Sequence, residues 1–179
     1  GKNEVSPRLL RHFHMIWLTN LSIDSMFKIF TSILGGFLRH HVPELKGLAD
    51  PIVKGSVEIY TSIQKELLPT PLRSHYTFNL RDLSKVFQGV LMVKPKNLED
   101  KQSLLKLWCH ESCRVFRDRL INQDDRDWFN KAILNQIHTS LEQPEWELDH
   151  FVDAMFGNFL NREDKDYKEL ADMTKVSES

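Results

Sequence analysis

The chain reads as a mainly α-helical domain, a helical bundle entered by one residual strand of a sheet that lies outside it. Three observations predict this. Apolar residues recur at helical spacing through most of the stretch from Ser22 to Leu141. Residues that start or break helices punctuate the pattern at Ser22, Asp50-Pro51, Asn79, Asn122 and Pro144. The short apolar run Phe13 to Thr19 (FHMIWLT) is bounded by polar residues, and its length and composition favour a buried strand over a helix.

A lone strand is not stable by itself, so its sheet is expected on the N-terminal side of this chain. Gly1 in place of a methionine agrees with an excised piece of a longer polypeptide. Ser22 then caps a predicted helix from Ile23 to His40, with Met26, Phe30, Ile33 and Phe37 on one stripe. Phe27, Leu34 and Leu38 lie beside that stripe, and Gly35-Gly36 weakens the helix near its end. Asp50-Pro51 starts a second helix that runs to Leu68 with Ile52, Ile59, Ile63 and Leu67 inward; Pro69 and Pro71 end it. Asn79 opens a helix that puts Leu80, Leu83, Phe87 and Val90 on one face, with Val86 and Leu91 flanking. Val93 to Asn97 is a loop.

A helix from Leu98 to Leu120 follows, its stripe being Leu105, Cys109, Cys113, Phe116 and Leu120. Asn122 caps another from Gln123 to Leu141, with Phe129, Ile133 and Ile137 inward. After the break at Pro144, Leu148 to Leu160 is predicted as a last short helix, and the polar residues 161–179 as loosely held.

Composition narrows the function classes. The 179 residues are 41% hydrophobic and 27% charged, values of an ordinary globular domain. The net charge of −1 supplies no electrostatic footprint for nucleic acid or an anionic membrane. No apolar run approaches the roughly 20 residues of a membrane span, and the polar start GKNEVSPRLL is no signal peptide. The two cysteines stand four residues apart, which is no disulfide framework and points to a reducing compartment.

Arg81 is the most informative single residue. A helix N-terminus carries partial positive charge and favours acidic residues in its first turn, so an arginine there is mildly unfavourable. Asp82 could offset it, but a phosphate explains it better, because free N–H groups and a guanidinium would converge on one anion. The plainer reading is a surface arginine paired with Asp82 or Glu66.

The segment around Arg81 also carries a family likeness. His75-Tyr76-Thr77-Phe78-Asn79-Leu80-Arg81-Asp82-Leu83, then Val86, Gln88 and Gly89, fits the form HYxFNxRDLxxVxQG. Pro7-Arg8-Leu9-Leu10-Arg11-His12-Phe13 and Leu107-Trp108-Cys109-His110-Glu111 with Arg114-Val115-Phe116-Arg117-Asp118-Arg119-Leu120 match two further stretches in the same order. Over roughly residues 5 to 160 the chain resembles the helical lid of an AAA+ module in a dynein heavy chain, most like the third module of an axonemal dynein. The resemblance implies that residues 1–21 end an α/β core, 22–160 form the lid, and 161–179 are a tail or linker toward the next module.

It implies roles as well. Arg81 becomes sensor 2, reaching the γ-phosphate of ATP bound in its own module; arginine suits this because its planar fork stays charged and contacts phosphate bidentately. Arg11, with Arg8 as second choice, becomes an arginine finger for the neighbouring module's ATP. The plainer reading of that pair is a solvated basic turn, or a pairing with Glu4. His75 positions the loop before the Arg81 helix by a hydrogen bond, the alternative being simple exposure. ATP or ADP with Mg is implied for the intact module, and none tightly bound to this piece alone. The partners implied are the adjacent AAA+ core, neighbouring ring modules of the same heavy chain, and a microtubule through other regions of the parent, with neither nucleic acid nor membrane. The place implied is cytoplasmic and cytoskeletal, in a ciliary or flagellar axoneme.

Other chemistry is thinly represented. There is no GxxxxGK[ST] phosphate loop, and Asp124-Asp125 lies on a polar helix start rather than after an apolar strand. The piece by itself is therefore not expected to be an ATPase, although its parent is. Cys109, His110 and Cys113 invite a zinc reading, but a structural site needs four ligands, and both cysteines lie on the apolar stripe. His12, His14, His40 and His41 show no metal spacing with a carboxylate. Glu163, Asp164 and Asp166 read as a solvated tail. The alternative function is a free-standing helical interaction module that needs no nucleotide; a helix-turn-helix nucleic-acid binder is weaker, and an enzyme of another kind weaker still.

Overall fold

The computed structural model describes residues 4–40, 43–98, 100–152, 154–158 and 166–170. Seven helices are present among them: α1 (Pro7–Leu10), α2 (Ile23–Leu38), α3 (Pro43–Lys46), α4 (Ala49–Glu66), α5 (Leu80–Val90), α6 (Lys101–Val115) and α7 (Gln123–Thr139). Two short strands, β1 (Phe156–Gly157) and β2 (Lys168–Glu169), pair antiparallel with Phe156 opposite Glu169. The mainly α-helical class expected of the sequence is the one observed.

Local chemistry sets the helix starts. Ser22 accepts a hydrogen bond from the Ser25 amide, and Asp100 accepts one from the Ser103 amide, each satisfying a donor that the first turn leaves open. Asn79 and Asp82 form a reciprocal capping box on α5.

Packing then joins the helices into one core. α2 lies on α4, α4 on α7, and α5 on α6. Phe30 of α2 stacks on Phe87 of α5 with ring centroids 4.5 Å apart. Trp108 of α6 is fully buried, and its indole N–H donates to Ser56 Oγ of α4 at 2.8 Å. That bond removes the penalty of burying a polar nitrogen. The inward residues expected of α4 (Ile52, Ile59, Ile63) and of α7 (Phe129, Ile133, Ile137) are all buried.

Several expectations are corrected. The α2 stripe is Met26, Phe30, Leu34 and Leu38, whereas Ile33 is exposed and Phe37 half-buried. Helix α2 meets α4 along its four-residue ridge, so the strict i+4 row wins over the i+3 positions. Phe13 to Thr19 is neither buried nor a strand; it is exposed and without a ladder partner among the described residues. The helix expected from Leu98 ends at Val115 and tightens into a single 3-10 turn, Arg117–Arg119.

The helix expected from Leu148 is also absent. Leu148–His150 makes one 3-10 turn, and Phe156–Gly157 enters the sheet instead. The Leu170 amide donates to the Met155 carbonyl at 2.8 Å, so a remote segment satisfies backbone groups that a helix would have used locally. Phe159 and Leu160 lie outside the described residues. Residues 166–170, expected to be loosely held, pack against the body, and Asp166 is buried beside Lys94 and Lys96 rather than solvated. The rest of that expected tail, including Glu163 and Asp164, lies outside the described residues.

Candidate functional site

The loop from Pro69 to Asn79 is built to present the start of α5. Arg73 pairs with Asp125 at 2.8 Å, and the Tyr76 hydroxyl donates to the same carboxylate at 2.9 Å. The Ile121 amide donates to that hydroxyl at 3.0 Å, so Tyr76, itself buried, ties the loop to the start of α7. His75 Nε2 lies 3.1 Å from the Arg119 carbonyl oxygen. Arg119 in turn donates to the carbonyls of His75 (3.0 Å) and Thr77 (3.3 Å) and lies over the Phe78 ring, 4.7 Å from its centroid.

Asp82 anchors the other side of the turn. It is buried, and its carboxylate accepts from the Asn79 amide (3.1 Å), from Lys85 (3.3 Å) and from Arg119 (3.1 Å). Burial raises the Asp82 pKa, but the Asn79 hydrogen bond, Lys85 and Arg119 outweigh it, so the group titrates below its ordinary value.

This network decides what Arg81 does. Asp82 is engaged by Arg119 and Lys85, so it does not neutralise Arg81. Among the described residues no side chain accepts a hydrogen bond from the Arg81 guanidinium, which is exposed at the head of α5. One part of the sequence argument is corrected. The Arg81 and Asp82 amides are not free for an anion, because both donate to Asn79 Oδ1, at 2.9 and 3.3 Å. The capping box has used them, and the guanidinium carries the charge alone.

A cleft of about 490 Å³ opens beside this helix start, lined by Thr19, Asn20 and Leu21, by Tyr60 and Gln64, and by Asn79 and Leu80. Its walls come from the end of the N-terminal segment and from the residues just before Arg81. Gln64 Nε2 donates to the Phe78 carbonyl at 3.2 Å and fixes the cleft wall.

The remaining candidates lie apart. Arg8 sits on the exposed turn α1, and Arg11 follows it, its Nε donating to His12 Nε2 at 3.2 Å. No hydrogen bond or ion pair among the described residues links either to the Arg81 turn. Cys109 is in the core and Cys113 is half-buried; burial raises both thiols, Cys113 to about 12. No group of three or more His, Cys, Asp or Glu side chains among the described residues could hold a metal ion. Among the described residues, the site presents an exposed Arg81 that no carboxylate pairs with, at the head of a capped helix.

Arg119 and Glu111 escaped the sequence reading. The signal for Glu111 was its three-residue spacing from Arg114 on one helix. Arg119 gave none, because its partners come from residues 75–82, remote in sequence.

Residues 33–126 match the model of the dynein heavy chain ATPase lid domain. Human dynein axonemal heavy chain 1 is 43% identical over 90% of this chain. Human dynein axonemal heavy chain 6 is 40% identical over 99% of it, and mouse dynein axonemal heavy chain 12 is 36% identical over 99%. The chain spans about 4% of the length of the first two relatives and 6% of the third. It belongs to the dynein heavy chain family, is related to the axonemal members, and carries their ATPase lid domain.

Proposed function

We propose that this lid closes over a nucleotide held by the core of its own AAA+ module and passes the resulting shift to the next module. The parent is then an ATP-driven microtubule motor of the ciliary or flagellar axoneme, and the module is its third. Mg and the triphosphate are held by the core, and the lid contributes Arg81 as sensor 2. The observation that carries this reading is the state of Arg81: an exposed residue on a capped helix start whose Asn79 and Leu80 line an open cleft, with no carboxylate partner among the described residues. An anion supplied from outside the lid completes it.

The physical form of the job is closure coupled to a phosphate contact, with a packed helical body acting as the lever. Arg11, with Arg8 as second choice, faces the neighbouring module's nucleotide in this reading, and His75 helps hold the loop that carries Arg81. The adjoining core and ring modules are the direct partners, and track contact belongs to other regions of the parent. The test is Arg81→Ala in the intact heavy chain. Nucleotide turnover or gating at this module should fall at least tenfold, with the lid's thermal unfolding unchanged. An unaltered nucleotide response would remove Arg81 from the role.

A further inference from the structure

Glu111 is fully buried in α6, and its Oε2 accepts from Arg114 Nε and Nη2 at 2.8 and 2.7 Å. Its Oε1 accepts from the Tyr167 hydroxyl. The same carboxylate fills the space where a side chain on Gly89 of α5 would sit: a Cβ there would overlap Oε2 and Cδ. A side chain at position 89 would displace the Glu111 carboxylate, which lies directly against the α5 backbone. An axial slide or rotation of α5 therefore strikes Glu111, and through it Tyr167.

The segment around Tyr167 is fastened to both helices. Tyr167 bridges to Val93, just past α5, and its carbonyl accepts from Asn97 Nδ2 at 3.3 Å. Asp166 pairs with Lys94 and Lys96 of the same connection, and Glu169 pairs with Lys106 of α6 at 3.2 Å. Gly89 lies about 12 Å along the helix axis from Arg81, at ~1.5 Å per residue. One rigid helix thus carries the exposed arginine at its head and the Glu111 crossing near its tail.

We infer that residues 166–170 form a strap that follows the position of α5, with the Glu111–Tyr167 contact as the link. Displacement of α5 is thereby converted into loosening or tightening of residues 166–170. What moves α5 rests on the function proposed for Arg81; the strap's attachment does not.

Amide hydrogen exchange on the 179-residue chain tests it. In Tyr167→Phe, residues 166–170 should exchange roughly tenfold faster, the scale of losing a hydrogen bond to a charged group. Residues 90–98 should also accelerate, while Ile133 and Ile137 in the core stay slow. Gly89→Ala should release the same strap although it lies outside it. Unchanged protection of 166–170 in both variants, with the core still slow, overturns the inference. So does acceleration confined to 166–170, which would describe a clamped tail unconnected to α5. If Gly89→Ala does not fold, Tyr167→Phe and Asp166→Asn decide by the same two readings. Arg81→Ala should leave strap protection as it is, so failure of the nucleotide role and failure of the strap are separate results.

Discussion

Trp17 and Trp108 each stand among apolar neighbours, yet Trp17 is 88% exposed and Trp108 is fully buried. Around Trp17, Met15, Ile16 and Leu18 are exposed with it; around Trp108, Leu104, Leu105 and Leu107 are buried with it. The difference is partners. Helix α6 packs against α5 and α3, and Ser56 of α4 supplies a hydroxyl for the indole N–H. The N-terminal segment has no neighbouring strand among the described residues. Apolar character expresses a demand for cover, and the fold meets it in one place only.

Trp108→Ala probes that contrast hardest. It should cost about 3–5 kcal/mol in chemical denaturation, the range for removing a large buried aromatic side chain. A loss under about 1 kcal/mol would mean that α4 and α6 do not depend on this contact. Arg119→Ala should cost about 2 kcal/mol, because it strips Asp82 of a buried partner and leaves the Thr77 and His75 carbonyls without their donor. The same measurement would reveal an independent Asp82 if stability barely moved.

Acid comes next in size. Asp82 and the capping Asp100 both titrate below the ordinary value of 3.8. A carboxylate with a depressed pKa lends stability that is present above its unfolded value and lost as the pH falls through its folded value. Stability should therefore decline below about pH 4, and Asp82→Asn should flatten that limb. His110 adds a milder slope. Burial lowers its pKa from 6.5, so stability should begin to fall as the solution drops below that value. Trp17→Ser should be the smallest effect, within about 0.5 kcal/mol, as for a surface substitution. Its size in the 179-residue chain measures directly whether that segment is covered.

Much of the fold was legible because it is local. Ser22 and Asn79 announce their helices through their own side chains, and the inward rows of α4 and α7 follow from the helical period alone. Arg81 was legible as an oddity for the same reason, since a cation in a first turn contradicts local electrostatics. What failed was non-local. The helix expected at Leu148 lost to pairing with residues 168–170, more than ten positions along the chain. Asp166 looked solvated until Lys94 and Lys96 met it.

The sequence by itself determined the start of α2 at Ser22 and of α5 at Asn79, the inward rows of α4 and α7, the family likeness and the placing of Arg81 at a helix head, because each depends on residues near one another in the chain. Tertiary structure alone decided that Arg119 meets Asp82. It alone showed that Glu111 occupies the space beside Gly89, and that residues 166–170 fold back onto both helices. A buried charge accepts whichever partner the packing delivers, and that delivery depends on how distant segments cross.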